Sequence, residues 1–292
     1  MSSLTISQKT SSVSFQEPFT VPFADGVGLK LYNDCRPSCL ETALLQKGFV
    51  LTLDRQELIG EGVGFGLPVV KYMDKTYFSG SANVSIQKTV DSYCLTKTYV
   101  LDTISKKLWL DYQINDAFYS AWRKRFANLY LSHKELLPLF NRAMELRDTA
   151  KVKTEFLRVK PKGKVKVTFR IKPQTLEVDA DFSSLNKQGC EELLILNEQG
   201  ASFFKEYRDS SGLRLIGGDI GGWAPVKVNF ASLVNSRVSF KLRKIGGAKL
   251  FRGWENTKNR FSWAGLSYSL QPDCETFHYT IELSSNKTLD QA

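Results

Sequence analysis

From residues 29–32 to residues 277–283, the chain is cut into short runs of alternating apolar and polar residues, separated by Gly, Pro, Asn and Asp. A period of two puts successive side chains on opposite faces, so each run is expected to form a strand with one face to bury. Repeated this often, the pattern requires extensive sheets packed on one another. The expected fold class is therefore mainly β: a large antiparallel β-sandwich, supersandwich-like, with a short helical insertion near residues 116–148. The insertion is signalled by Phe118, Trp122, Phe126, Leu129, Leu136, Phe140 and Met144, which recur at helical spacing. Ser132-His133-Lys134-Glu135 has the form of a capping box and marks the start of a second short helix. The expected organisation is a flexible segment 1–14, one β-rich domain over 15–286 carrying the insertion 115–150, and a flexible tail 287–292.

Hydrophobic residues make up 42% of the 292, enough for a sizeable core, which excludes disordered and collagen-like classes. Residues 1–14 lack the apolar core of a secretory signal, and no run approaches the roughly 18 apolar residues of a membrane-spanning helix. A cytoplasmic protein without a membrane partner is expected; the oligomeric state stays open. Cys35, Cys39, Cys94, Cys190 and Cys274 are odd in number, and the close pair Cys35 and Cys39 lacks the further ligands of a structural zinc site. Reduced thiols are expected, with no metal and no cofactor.

Forty Lys and Arg against thirty Asp and Glu give a formal charge of +10. Part of that charge sits on a run in which Val165, Val167, Phe169 and Ile171 alternate with Lys164, Lys166, Thr168, Arg170 and Lys172. Pro161-Lys162-Gly163 before it supplies turn chemistry, so a hairpin over 151–172 is expected. Its cationic face is either a patch for a polyanion or a solvated sheet face whose lysines discourage edge pairing. No aromatic interleaves the basic positions as a nucleic-acid stacking platform requires.

Glycine clusters supply the candidate sites. Gly60-Glu61-Gly62-Val63-Gly64-Phe65-Gly66 matches neither dinucleotide nor P-loop spacing, and no helical pattern follows it. Glycine at alternate positions clears one face of an extended segment. Either it opens a groove beside Glu61 and Tyr72, or it lets another strand cross closely. Ile216-Gly217-Gly218-Asp219-Ile220-Gly221-Gly222-Trp223 and Phe251-Arg252-Gly253-Trp254-Glu255 place tryptophans in Gly-rich loops. An indole face suits the C–H face of a sugar, while carboxylates and Arg bind its hydroxyls. Trp223, Asp219, Arg252, Trp254, Glu255 and Tyr72 are the ligand-binding candidates; the alternative is that the tryptophans close the ends of the core.

The run Leu44-Leu45-Gln46-Lys47-Gly48-Phe49-Val50-Leu51, then Gln56-Glu57-Leu58-Ile59-Gly60-Glu61, resembles the opening strands of galactose-mutarotase-like β-supersandwich domains. Leu270-Gln271-Pro272-Asp273-Cys274-Glu275-Thr276 resembles their closing turn and last strand. The resemblance covers the two ends of the chain and implies a carbohydrate ligand on a broad sheet. It also implies an acid–base pair, commonly Glu with His. Here the candidates are Glu61 and His278, the latter on the polar face of a strand with Glu275 and Glu282 in its vicinity. No G-x-S-x-G elbow is present. The function expected is binding or modification of carbohydrate, acidic sugars or sugar phosphates among them. The alternative is a non-enzymatic cationic protein that binds nucleic acid or another polyanion.

Overall fold

A computed structural model describes residues 18–24, 26–37, 44–73, 75–88, 93–109, 153–257 and 261–285. The chain divides into two compact units, 1–102 with 161–292, and 103–160. Among the described residues the second unit holds only 103–109 and 153–160, stretches of two strands. The helical segment 115–150 and the two terminal segments lie outside the described residues.

In chain order the strands are β1 (Phe19–Ala24), β2 (Val27–Leu31), β3 (Cys35–Pro37), β4 (Leu44–Gln46), β5 (Val50–Leu53), β6 (Gln56–Glu57), β7 (Gly64–Tyr72), β8 (Lys75–Lys88), β9 (Tyr93–Trp109) and β10 (Lys153–Lys172). They continue with β11 (Thr175–Asp181), β12 (Cys190–Gln199), β13 (Glu206–Asp209), β14 (Arg214–Ile216), β15 (Ala224–Pro225), β16 (Phe230–Val234), β17 (Val238–Arg243), β18 (Ala248–Thr257), β19 (Phe261–Leu270) and β20 (Thr276–Ser285). One 3-10 turn, Gly217–Ile220, joins β14 to β15.

The main sheet runs β14-β13-β16-β17-β20-β11-β10-β9-β8-β7-β12-β19-β18-β15. It folds on itself at β8. The first residues of that strand pair with β7 (Val70↔Tyr77, Tyr72↔Lys75), and the rest pair with β9 from Phe78↔Asp102 to Lys88↔Tyr93. The two halves then face each other as a sandwich. Phe65 of β7 meets Phe240 of β17 edge to face at 5.0 Å, and Tyr268 of β19 meets Tyr279 of β20 at 5.0 Å. Alternation sets the inner faces: Val165, Val167 and Phe169 of β10 are fully buried, as are Leu176, Val178 and Ala180 of β11. At about 25 cal/mol per Å² of apolar surface, this continuous layer is the main favourable contribution to folding. A smaller sheet, β1-β2-β5-β6, adds Val21, Leu29 and Leu51 to the same core. The expected antiparallel β-sandwich is the fold observed.

The hairpin expected over 151–172 is not formed. β10 runs straight through Pro161-Lys162-Gly163, where the Lys162 carbonyl accepts from Asn186 N. The chain reverses instead at Pro173-Gln174, where Gln174 takes φ 60, and β10 pairs with β11 from Lys172↔Thr175 back to Lys166↔Asp181. The two-residue reversal joins strands whose apolar positions already match, which Pro161 could not offer.

The alternating glycines mark a strand crossing. A Cβ on Gly48 would lie 1.8 Å from the Phe65 carbonyl oxygen, so the chain entering β5 passes directly against β7. Phe49 and Phe65 exchange backbone hydrogen bonds at 3.0 and 2.7 Å across that crossing. Next along β7, Gly66 takes φ +77, and a Cβ there would stand 2.5 Å from Cε1 of Phe169. Gly66→Ala combines a left-handed backbone cost of roughly 1–2 kcal/mol with overpacking of roughly 1–3 kcal/mol. A loss of about 2–5 kcal/mol in urea unfolding is expected, with the unfolding slope unchanged.

Candidate functional site

The half of the sheet built from β7, β12, β19, β18 and β15 has a face turned away from the core, and one corner of it is unusual. Gly253 of β18 and Gly265 of β19 are register partners and leave a patch with no side chains. Trp223, arriving just before β15, lies across it. A Cβ on Gly253 would come 3.0 Å from the Trp223 ring, and one on Gly265 would come 2.9 Å from it. Trp223 also stacks on Trp263, with centroids 4.7 Å apart and planes 20° apart. Its indole is therefore fixed although 42% of the residue is exposed.

Two carboxylates, Glu255 and Glu198, adjoin this stack, and the backbone of a third residue, Glu61, meets the start of β19. Glu255 is the register partner of Trp263 and is half-buried. Burial raises its carboxyl above the ordinary glutamate value, and a hydrogen bond from the Trp263 side chain opposes that rise. Glu198 of β12 pairs with Gly265 and is buried beneath the patch, where its Oε2 accepts from Val63 N at 3.3 Å. Glu61 reaches the same corner: its backbone N–H donates to the Ser262 carbonyl at 3.2 Å, and its Oε2 is buried without a hydrogen-bond partner. Among the described residues, no group of three or more His, Cys, Asp and Glu is arranged to hold a metal ion. An aromatic surface bordered by carboxylates can stack on an apolar ring face and accept hydrogen bonds from hydroxyls.

The remaining candidates divide. Arg252 and Trp254 point from β18 to the inner face, opposite to Glu255. The Trp254 indole N–H donates to the Phe204 carbonyl at 3.0 Å, and the Arg252 guanidinium lies 4.8 Å from the Tyr207 ring centroid. Both close the end of the core, as does the backbone bond from Trp254 N to the Gly221 carbonyl. Asp219 is exposed in the 3-10 turn. Tyr72 is buried away from this corner, packs edge to face on Tyr77 and donates its hydroxyl to the Asn186 carbonyl. Burial pushes its phenol up to about 12.

His278 belongs to the other half of the sheet, on the outer face of β20, while Phe277, Tyr279, Ile281 and Leu283 point inward. Its Nδ1 lies 2.6 Å from Asp179 Oδ1, in a groove of about 230 Å³ with Lys166, Thr168 and Asp181. Glu282 is engaged elsewhere, by Lys241 and Arg243. Glu61 and His278 thus stand on opposite layers. The cationic positions of β10 are matched across the strand by acids: Arg170 pairs with Asp179, and Lys172 with Glu177 at 2.5 Å. The Cys35 thiol donates to the Gly80 carbonyl at 3.1 Å, whereas Cys39 lies outside the described residues. Among the described residues no helix is long and apolar enough to cross a membrane.

No protein-family model matches the chain, and no curated protein is detectably similar in sequence. Among solved structures it is similar to the alpha-N-acetylgalactosaminidase NagBb from Bifidobacterium bifidum, at 7% identity and a TM-score of 0.47 over 91% of this chain and 35% of that one. An alpha-mannosidase from Enterococcus faecalis V583 follows at 9% identity and a TM-score of 0.44, over 89% of this chain and 28% of that one. The chain spans about a third of the length of these two. The Slr1438 protein from Synechocystis sp. PCC 6803 matches at 9% identity and a TM-score of 0.36, over 94% of this chain and 99% of that one.

Sequence reasoning missed Trp263 and Glu198 at the corner, and it missed Lys97 in the core. Lys97 occupies the inward phase of Leu95, Tyr99 and Leu101, and that phase was the available signal. Fully buried, it donates to the Tyr32 and Lys47 carbonyls, each at 2.8 Å. Burial pulls its ammonium from 10.5 to about 7. Below pH 7 the folded and unfolded chains both carry the charge, and folding bears the full cost of burying it. Above pH 7 the unfolded chain holds more protons, so stability rises toward pH 10, by at most about 1.4 kcal/mol per unit. Chemical denaturation at pH 7 and pH 9 should show this rise in the wild type and a flatter profile in Lys97→Met.

Proposed function

We propose that this protein binds carbohydrate, with Trp223 as the stacking surface and Glu255 and Glu61 as acceptors for sugar hydroxyls. One observation carries the reading: the exposed Trp223 indole is held flat against Trp263 over the patch left by Gly253 and Gly265. An exposed indole normally loses rotamer freedom when a ligand binds. Here the sheet has already fixed it, so stacking on a pyranose costs little ordering. The flanking carboxylates add direction, because an acceptor at the edge of an aromatic ring selects ligands with hydroxyls beside an apolar face.

Titration calorimetry against neutral and uronate-containing oligosaccharides, with tryptophan fluorescence as a second signal, tests this. Trp223→Ala should weaken binding about tenfold or more, on the order of 2 kcal/mol for a lost aromatic anchor. Its thermal midpoint should fall as well, since more than half of the residue packs on Trp263 and the glycine patch, so binding is compared at a temperature where both proteins are folded. If no oligosaccharide binds, or if Trp223→Ala binds as tightly as the wild type, the proposal fails.

A further inference from the structure

The outer face of the β13–β14–β16 end of the sheet has a charge arrangement unlike the rest of that face. Along β10–β11 and β17–β20 the register sets bases opposite acids: Lys166↔Asp181, Arg170↔Glu177 and Lys241↔Glu282. On β13 and β14 the register sets Arg208 directly opposite Arg214. Like charges on paired strand residues repel, and sheets normally avoid them. One carboxylate serves both. Glu206 Oε1 lies 2.5 Å from Arg208 Nε and 2.5 Å from Arg214 Nε, and its Oε2 accepts from Arg214 Nη2 at 3.1 Å.

The guanidiniums are about half exposed at the side chain, 48% for Arg208 and 61% for Arg214, while the glutamate between them is only 16% exposed. They line a cleft of about 700 Å³ together with Lys205, the hydroxyls of Ser202 and Ser239, and the half-exposed Ile216. Three cations against one anion leave an excess of two positive charges around the cleft. Tyr207 between Glu206 and Arg208 is fully buried, so the strand that carries the pair is anchored in the core.

We propose that this cleft binds the phosphate monoester of a sugar phosphate, with Arg208 and Arg214 as the two guanidinium forks and Lys205 at the rim. A monoester dianion matches the twofold positive excess, and guanidinium forks fit its oxygens in pairs. Glu206, between them, holds both forks in place while the cleft is empty and competes with the ligand for them. The serine hydroxyls face the polar body of the sugar. This cleft is separate from the Trp223 corner, so it stands or falls independently of the carbohydrate reading given above.

Calorimetry at low ionic strength with glucose 6-phosphate, glucose 6-sulfate, glucose and inorganic phosphate tests the proposal. Glucose 6-phosphate should bind more tightly than the sulfate, and glucose alone should not bind in this cleft. Arg208→Gln with Arg214→Gln should weaken binding of the phosphate at least tenfold, and Lys205→Gln severalfold. Lys164→Gln with Lys249→Gln, on β10 and β18, removes the same charge and should change it less than twofold. Glu206→Gln should tighten binding severalfold, a result that a purely structural counterion would not produce. Trp223→Ala should leave glucose 6-phosphate affinity unchanged, which separates failure here from failure at the other site. Equal weakening by the two charge-matched double variants would overturn the proposal, as would looser binding in Glu206→Gln, binding of inorganic phosphate alone, or no binding of glucose 6-phosphate.

Discussion

The architecture depends on a backbone crossing too close for side chains. Gly48 rests against the carbonyl of Phe65, and Phe49 and Phe65 exchange two backbone hydrogen bonds there. The small sheet is thereby tied to the large one, and Phe49 is delivered to Phe169 at 4.9 Å on the far layer. A crossing of this kind leaves donors and acceptors that no regular ladder can satisfy. Residues 197–199 of β12 supply them. Asn197 accepts from Gly66 N at 3.0 Å and from the Tyr279 hydroxyl at 2.7 Å, while Gln199 accepts from Leu51 N and donates to the Phe49 carbonyl. Three consecutive buried polar residues in the middle of a sandwich are costly unless each is spent in this way.

The Trp223 corner borders the same crossing. Against β19 the register of β12 is unbroken from Leu193↔Leu270 to Gln199↔Ala264, so plain alternation puts Glu198 on the outer face opposite Gly265, and the register shift at Leu196 and Asn197 lies on the β7 side. The crossing near Gly62 and the buried carboxylate are coupled directly, because Glu198 takes the Val63 N–H. Core closure and surface chemistry therefore share a few adjacent residues. A substitution that disturbs the crossing is felt at the corner as well.

Strand number, face assignment and the role of Gly-rich text as sites of close approach were legible because they depend on local periodicity. Val165 to Ile171 and Phe277 to Leu283 point inward as their alternation dictates. The turn after β10 was not legible. Pro161 and Pro173 both carry turn chemistry, yet long-range pairing keeps the strand extended through the first, and the reversal falls at Pro173-Gln174, where β11 has a matching partner strand to offer. Of the site candidates, Trp223 and Trp254 look alike in sequence, each an indole beside glycines. Phase on β18 separates them: Trp254 shares the inward phase of Leu250 and caps the core, whereas Glu255 and Gly253 share the outward phase with the patch. Trp223 precedes β15 and has no phase to read, so its placement depends on which glycines it meets.

Charge shows the same limit of local reading. A net of +10 suggests a diffuse cationic surface, and the alternating lysines of β10 suggest where it lies. Register changes that conclusion, because β11 brings Asp181, Asp179 and Glu177 across from Lys166, Thr168 and Arg170. Each such pair is worth little to stability, since exposed ion pairs contribute only about 0–1 kcal/mol. Their effect is on the field: opposite charges a few ångströms apart cancel beyond the screening distance of about 8 Å at physiological salt. Such a face steers no polyanion however many lysines it carries. A local field is retained where register sets like charges together, as it does for Arg208 and Arg214. The positive excess of this chain therefore acts through strand pairing and is poorly described by its sum.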